Sequence, residues 1–459
     1  MDDYGRTMRP TSPALPQPPV RRTRHDREIL TLAVPAFGAL IAEPLFLMAD
    51  SAIVGHLGTA QLAGLGVAAS LLSTLVGVFV FLAYATTAAV ARRVGSGDRR
   101  AAVRQGIDGI WLAVLLAVPV VALAVGLAPE LIRVFGASPT ATPYAVDYLR
   151  ISAAGIPAML IVMAATGVLR GLQDTRTPLA VAVAGFTVNL LLNLGLVYGA
   201  GLGIAGSALG TVIAQWGMAA TYLAVVARGA RRLGLLRTRA DLRPDLPGIR
   251  ACATAGAPLL VRTLSLRAIL LIATAVAARL GNTAMASQQI AMSLWNFLAF
   301  ALDAIAIAGQ AIIGRYLGAD DTGGARAATR RMVEWGIGTG VMLGALLLLA
   351  RPLYLPLFTN DPAVRQQLGT VLLIAAASQP VCGVVFVLDG VLMGAGDGPY
   401  LAWAMLGTLA AYAPVALTIG SGSLVALWGA IALCMAVRLL FMTLRARTGA
   451  WLVTGAVRA

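Results

Sequence analysis

Apolar runs of about 20 residues, the length that crosses a bilayer core as a helix, recur along the whole 459-residue chain. They fall at about 29–54, 60–90, 106–128, 144–169, 178–199 and 204–227, then at about 251–279, 284–313, 333–350, 368–393, 400–419 and 424–444. Hydrocarbon offers backbone groups no hydrogen-bond partner, so only helices and closed barrels span it. Runs of this length select the helix. The sequence therefore predicts an all-α polytopic membrane protein with twelve transmembrane helices. Only 12% of residues are charged, and mean hydropathy is +0.82. A soluble chain of this size would carry far more surface charge.

All 35 basic residues are Arg. If the N-terminus is inside, 27 of the 35 fall in the inside segments and only Arg133, Arg279, Arg351 and Arg365 fall outside. Arg150, Arg262, Arg267 and Arg438 lie within spans. An Arg excess marks cytoplasmic loops. The expectation is a multi-pass protein of the bacterial cytoplasmic (plasma) membrane with both termini cytoplasmic. The basic loops meet anionic lipid, and no nucleic-acid partner is expected. Residues 1–27 are basic and Pro-rich ("PALPQPP") and read as a disordered cytoplasmic tail. Cys252, Cys382 and Cys434 lie far apart in apolar runs, which predicts buried free thiols and no metal site.

The chain repeats itself. Shifted by 223 residues without gaps, Pro35 meets Pro258, Pro129 meets Pro352, Pro139 meets Pro362 and Pro157 meets Pro380. With 22 prolines, chance gives about 0.5 such matches, so four mark a duplication. Gly58/Gly281, Arg92/Arg315, Gly95/Gly318, Asp98/Asp321 and Gly206/Gly429 also agree, and "GVLRGLQD" aligns with "GVLMGAGD". The predicted organisation is an N-lobe at 28–227, an Arg-rich cytoplasmic linker at 228–250, a C-lobe at 251–446 and a cytoplasmic tail at 447–459. An even number of helices per half makes the repeats parallel, related by a pseudo-two-fold along the membrane normal.

Shared residues look structural, so function is sought where the halves differ. Glu43 pairs with Leu266, Asp50 with Ala273, Asn189 with Tyr412 and Asn193 with Ala416. The N-lobe thus carries an acid–amide set that its twin lacks. Glu43 and Asp50 are two helical turns apart on one face, as are Asn189 and Asn193 at one turn. A carboxyl in a bilayer helix is costly unless protonated, paired or facing water. Asp50 is therefore either a proton-exchanging acid in a cavity or a solvated acid at the outer interface. The C-lobe has its own buried charges in Arg262, Arg267, Asp303 and Asp389. Similar depth makes Arg262–Asp303 the expected ion pair, with Arg267 able to reach Glu43 across the halves. Pro35, Pro44 and Pro258 interrupt the backbone ladder and mark helix bends. No phosphate loop, metal spacing or catalytic constellation is present in the sequence, so neither an enzyme nor a cofactor is expected.

"MADSAIVGHLG", "GVLRGLQDTRTP", "FALDAIAIAGQAIIGRYLG" and "LDGVLMGAGD" resemble the multidrug and toxic compound extrusion (MATE) family, most closely its DinF-like branch, over about residues 28–446. The resemblance implies two six-helix lobes and export of organic cations or other amphipathic compounds, driven by protons or sodium ions. It implies a coupling role for Asp50, assisted by Asn189 and Asn193, with Thr211 at a sixth-helix polar position. The expected partners are a small amphipathic substrate, protons (or sodium) and membrane lipid, with the chain acting as a monomer. The alternatives are a sodium-coupled antiporter, a flippase for lipid-linked precursors and a non-transporting scaffold.

Overall fold

A computed structural model describes residues 20–232, 234 and 239–457. Among the described residues eleven helices are long and apolar enough to cross a membrane, and a bent helix pair, taken as one span, makes twelve. The N-lobe contains α1 (Val20–Gly55), α2 (Thr59–Gly95), α3 (Arg99–Gly126), the pair forming α4 (Thr142–Ala153 and Ile156–Gly171), α5 (Arg176–Gly199) and α6 (Gly203–Arg232). The C-lobe contains α7 (Leu246–Arg279), α8 (Asn282–Gly318), α9 (Thr322–Leu349), α10 (Pro362–Gly394), α11 (Gly398–Thr418) and α12 (Leu424–Thr448).

The repeat is visible in the turns. Gly58 and Gly281 take φ of 141° and 99° between the first two helices of each lobe, a region that favours glycine. Asp98 and Asp321 cap α3 and α9, accepting hydrogen bonds from the Ala101 and Gly324 amides. Each cap satisfies an amide that the first helical turn leaves open.

Several sequence expectations need correction. The span at 144–169 is not one straight helix but bends by 51° at Ala154–Gly155, just ahead of Pro157, which has no amide to continue the ladder. Residues 20–27 belong to α1 rather than to a disordered tail. Asp26 and Glu28 hold this end through Arg331, Trp335 and Arg315. Residues 1–19 lie outside the described part. The linker is shorter than its Arg-rich composition implied, because α6 runs to Arg232 and α7 starts at Leu246. Leu242 accepts from Trp111 Nε1 at 2.9 Å, tying the linker to α3. The final tail is packed, with Trp451 only 2% exposed. The prolines expected to mark bends, Pro35, Pro44 and Pro258, lie inside the continuous helices α1 and α7.

One apolar core joins the lobes. It includes Ile29, Leu32 and Ala36 of α1, Phe81 and Leu82 of α2, and Ala304 to Leu317 of α8. All lie in the halves of their helices nearer the Arg-rich loops. Beyond it each lobe has its own core: Leu65, Leu71 and Leu149 in the N-lobe, and Ile269, Leu372 and Trp428 in the C-lobe. The outer half of α2 packs within its own lobe, while its inner half packs on α7, α8 and α10. The lobes are therefore joined at the Arg-rich face and diverge toward the opposite one.

Candidate functional site

Three N-lobe helices bring their polar residues to one buried point. Asp50, near the end of α1, is only 4% exposed. Its Oδ1 accepts from the Asn193 amide at 2.6 Å and from the Ser207 hydroxyl at 2.8 Å. The Asn193 amide also donates to Asn189 Oδ1 at 2.9 Å, and Asn189 Nδ2 donates to Thr211 Oγ1 at 3.1 Å. Asn189, Asn193, Ser207 and Thr211 are all buried. Helical geometry explains the chain of contacts: four-residue spacing stacks Asn189 under Asn193 on α5 and, on the antiparallel α6, Thr211 under Ser207.

The backbone is shaped to fit. A Cβ at Gly210 would overlap Asn193 Oδ1, so only glycine lets the amide approach α6. Directly after Asn193, α5 winds into a π turn at Gly195–Gly199, a feature frequent at functional sites. Tyr198 in that turn donates to the Ile53 carbonyl at 2.6 Å, fastening α5 to the end of α1. One turn before Asp50, Phe46 stacks on Phe186 with centroids 5.0 Å apart. The aromatic pair covers the polar group along α1 and α5.

Ser207 and Tyr148 were not singled out from the sequence. Tyr148 of α4 is buried and faces Asp50, Thr211, Ser207 and Ser152. Ser207 was legible in principle, one turn from Thr211 on the same face. Tyr148 carried no such signal, because its helix half was expected to continue straight. The side chain of Glu43 lies outside the described residues.

The twin positions show what the same geometry does without polar residues. At an offset of 223 from Asp50, Asn189, Asn193, Ser207 and Thr211 stand Ala273, Tyr412, Ala416, Ala430 and Cys434, all in one apolar core. The C-lobe fills by packing the volume that the N-lobe fills with hydrogen bonds.

The expected Arg262–Asp303 pair is not formed. Arg262 instead binds Asp389, with Nε at 3.1 Å from Oδ1 and Nη2 on Oδ2. Arg438 of α12 adds Nη2 at 3.4 Å from the same Oδ2. Depth counted along single helices ranks partners by height alone; the lateral arrangement of α7, α10 and α12 decides this one. Asp303 is half-buried and Arg267 is exposed, and neither forms an ion pair among the described residues. The Arg267 guanidinium lies beside Gly77 of α2.

The MatE family model matches residues 35–194 and 258–418, one segment in each lobe. The chain belongs to the MatE family. Its matched segments begin at Pro35 and Pro258, the proline pair that first marks the repeat. Similar curated proteins include Protein DETOXIFICATION 44, chloroplastic, of Arabidopsis thaliana, at 31% identity over 92% of this chain and 83% of the relative. DNA damage-inducible protein F of Escherichia coli is 29% identical, covering 91% of each chain. The multidrug resistance protein NorM of Burkholderia vietnamiensis is 31% identical over 83% of each. Among solved structures, the Vibrio cholerae MATE transporter VcmN in its bent form superposes with a TM-score of 0.84, at 20% identity over 94% of this chain and 99% of that one. This MatE protein is therefore a multi-pass transporter of the multidrug and toxic compound extrusion family and not an enzyme.

Proposed function

We propose that this MatE transporter is a proton-coupled antiporter that exports amphipathic organic cations across a bacterial cytoplasmic membrane, with its Arg-rich face and both termini on the cytoplasmic side. The observation that carries the reading is the direction of the hydrogen bonds at Asp50. Both groups on its Oδ1 are donors, an N–H and an O–H. No basic side chain pairs with it among the described residues. A sodium ion would need these same groups to turn their oxygens, rather than their hydrogens, toward the carboxylate.

The set accommodates both forms of the acid. Charged, Asp50 accepts from Asn193 and Ser207. Protonated, it becomes a donor and needs an acceptor. Asn193 Oδ1 is buried and has no partner among the described residues. Turning the Asn193 amide over presents that oxygen to Asp50. The Asn189 amide turns with it, and the row of hydrogen bonds down to Thr211 reverses polarity with no backbone change. A proton on Asp50 is thereby sensed by α1, α5 and α6 together.

A cationic substrate in the cleft competes with the proton for the same carboxylate. Each bound species then biases the lobes differently, which couples the two flows. Bending of α1 at Pro35 and Pro44, where the ladder lacks amides, transmits the difference. With the Arg-rich face cytoplasmic, the conformation described above is sealed inside and diverges outward, so Asp50 takes its proton from outside.

Transport in proteoliposomes tests this directly. A pH gradient alone is expected to drive uptake of a fluorescent organic cation, and a sodium gradient alone is not. The reverse result would establish the sodium-coupled alternative and end the proton reading.

A further inference from the structure

We propose that Arg92 and Arg315 are the paired gate arginines of the transport cycle, each tying its own lobe to the other across the Arg-rich face. They are positioning residues, and the bonds they make must break before that face opens. The inference rests on membership of a transporter family and holds whether protons or sodium ions drive transport.

The two arginines are repeat equivalents, 223 residues apart near the ends of α2 and α8. The helices cross there at a pair of glycines, also equivalents. A Cβ at Gly95 would overlap the Arg315 carbonyl, and a Cβ at Gly318 would overlap the Arg92 carbonyl. This close crossing sends each arginine side chain into the opposite lobe. Arg92 donates from Nη1 to the Ala395 carbonyl at 3.2 Å, from Nη2 to Val453 at 2.7 Å and from Nε to Gly455 at 3.1 Å. Ala395 caps the C-terminus of α10, where a cation also meets the negative end of the helix dipole. The tail that carries Val453 and Gly455 is itself held to the C-lobe, since the Gly455 amide donates to the Leu317 carbonyl at 3.0 Å. Arg315 mirrors this. Its Nη1 donates to Gln173 Oε1 at 3.1 Å, just past the C-terminus of α4, and its Nη2 pairs with Glu28 of α1.

The backbone at Gln173 points the same way. Gln173 has φ of 63°, a left-handed conformation rare for a residue with a Cβ. Its repeat equivalent, Gly396, has φ of 70° and takes it freely. The N-lobe therefore holds a side chain in a conformation for which the C-lobe uses glycine, and that side chain receives Arg315. Strain of this kind persists where the surroundings over-determine it, commonly at switch regions. The two clamps thus share one plan with different acceptors: backbone carbonyls for Arg92, side chains for Arg315.

The protein carries its own reporter. Cys252 of α7 is buried at the lobe seam, accepting from Gln105 Nε2 of α3 at 2.8 Å. Cys382 and Cys434 are buried within the C-lobe core. Opening the Arg-rich face exposes the first thiol and leaves the other two covered; unfolding exposes all three.

The experiment measures maleimide labelling of each native cysteine by mass spectrometry, on the full chain in lipid nanodiscs. Removing charge-assisted hydrogen bonds in Arg92→Gln/Arg315→Gln is expected to raise the Cys252 rate about tenfold or more, with Cys382 and Cys434 unchanged. An unchanged Cys252 rate in a folded double variant overturns the proposal. If all three thiols label together, Gln173→Gly/Glu28→Ala decides. It removes both side-chain acceptors of Arg315, at Gln173 with the twin's residue and without strain in φ. A selective rise at Cys252 supports the gate, and a wild-type rate refutes it.

Discussion

Asn193 donates its side-chain amide to Asp50 at 2.6 Å, although 143 residues separate them in the chain. The bond links α5 to α1, and Ser207 links the same carboxylate to α6. Three helices thus depend on the charge of one oxygen. In a bilayer, where few other partners exist, such a group is expected to control how the helices sit against one another.

Asp50→Asn keeps size and polarity but cannot exchange a proton. The variant is expected to fold, with its melting temperature within a few degrees of wild type, and to lose proton-driven export in proteoliposomes. Export at the wild-type rate under a pH gradient would make Asp50 a structural acid.

Asn193→Leu removes the donor to Asp50 and the link to Asn189 together, leaving a buried polar group short of a partner at a cost of about 1–3 kcal/mol. Tyr412→Leu alters the C-lobe equivalent of Asn189, one helical turn from that of Asn193, where the side chain only packs. Coupling, measured as substrate moved per unit of imposed pH gradient, is expected to fall at least tenfold in Asn193→Leu and to change little in Tyr412→Leu. Equal losses would mean that both positions serve packing.

Asp389 lies between two guanidiniums, those of Arg262 and Arg438. Asp389→Asn leaves two buried cations without their carboxylate and is expected to cost about 3–5 kcal/mol. Replacing all three by Met, Leu and Met should restore most of that loss, because apolar residues need no partner. Thermal unfolding in detergent reads both. A neutral Asp389→Asn would show the triad to be hydrated.

Orientation has its own test. Arg243→Cys in the linker is expected to react with an impermeant maleimide only from the cytoplasmic side, and Thr59→Cys only from outside. The opposite pattern in sealed vesicles would invert the protein and the direction of transport.

The class of structure was legible from sequence because the bilayer imposes it. Apolar run length fixes the number of spans, and the proline pairs reveal the duplication without any knowledge of contacts. Loss of symmetry at Asp50, Asn189 and Asn193 pointed to the polar group before its geometry was known. Helical spacing then placed each pair on one face, since that relation is local.

What sequence left open was lateral. Arg262 was assigned to Asp303 by depth, yet it binds Asp389, because equal depth on two neighbouring helices does not turn their side chains toward each other. Ser207 and Tyr148 join Asp50 only once α4 bends and Gly210 admits the Asn193 amide. The lobe-to-lobe clamps of Arg92 and Arg315 were invisible for the same reason: the repeat aligns the two arginines with each other, not with their partners. Local periodicity follows from backbone geometry and can be read residue by residue. The choice among helices at the same depth depends on close packing of side chains in three dimensions, and only the tertiary structure makes it.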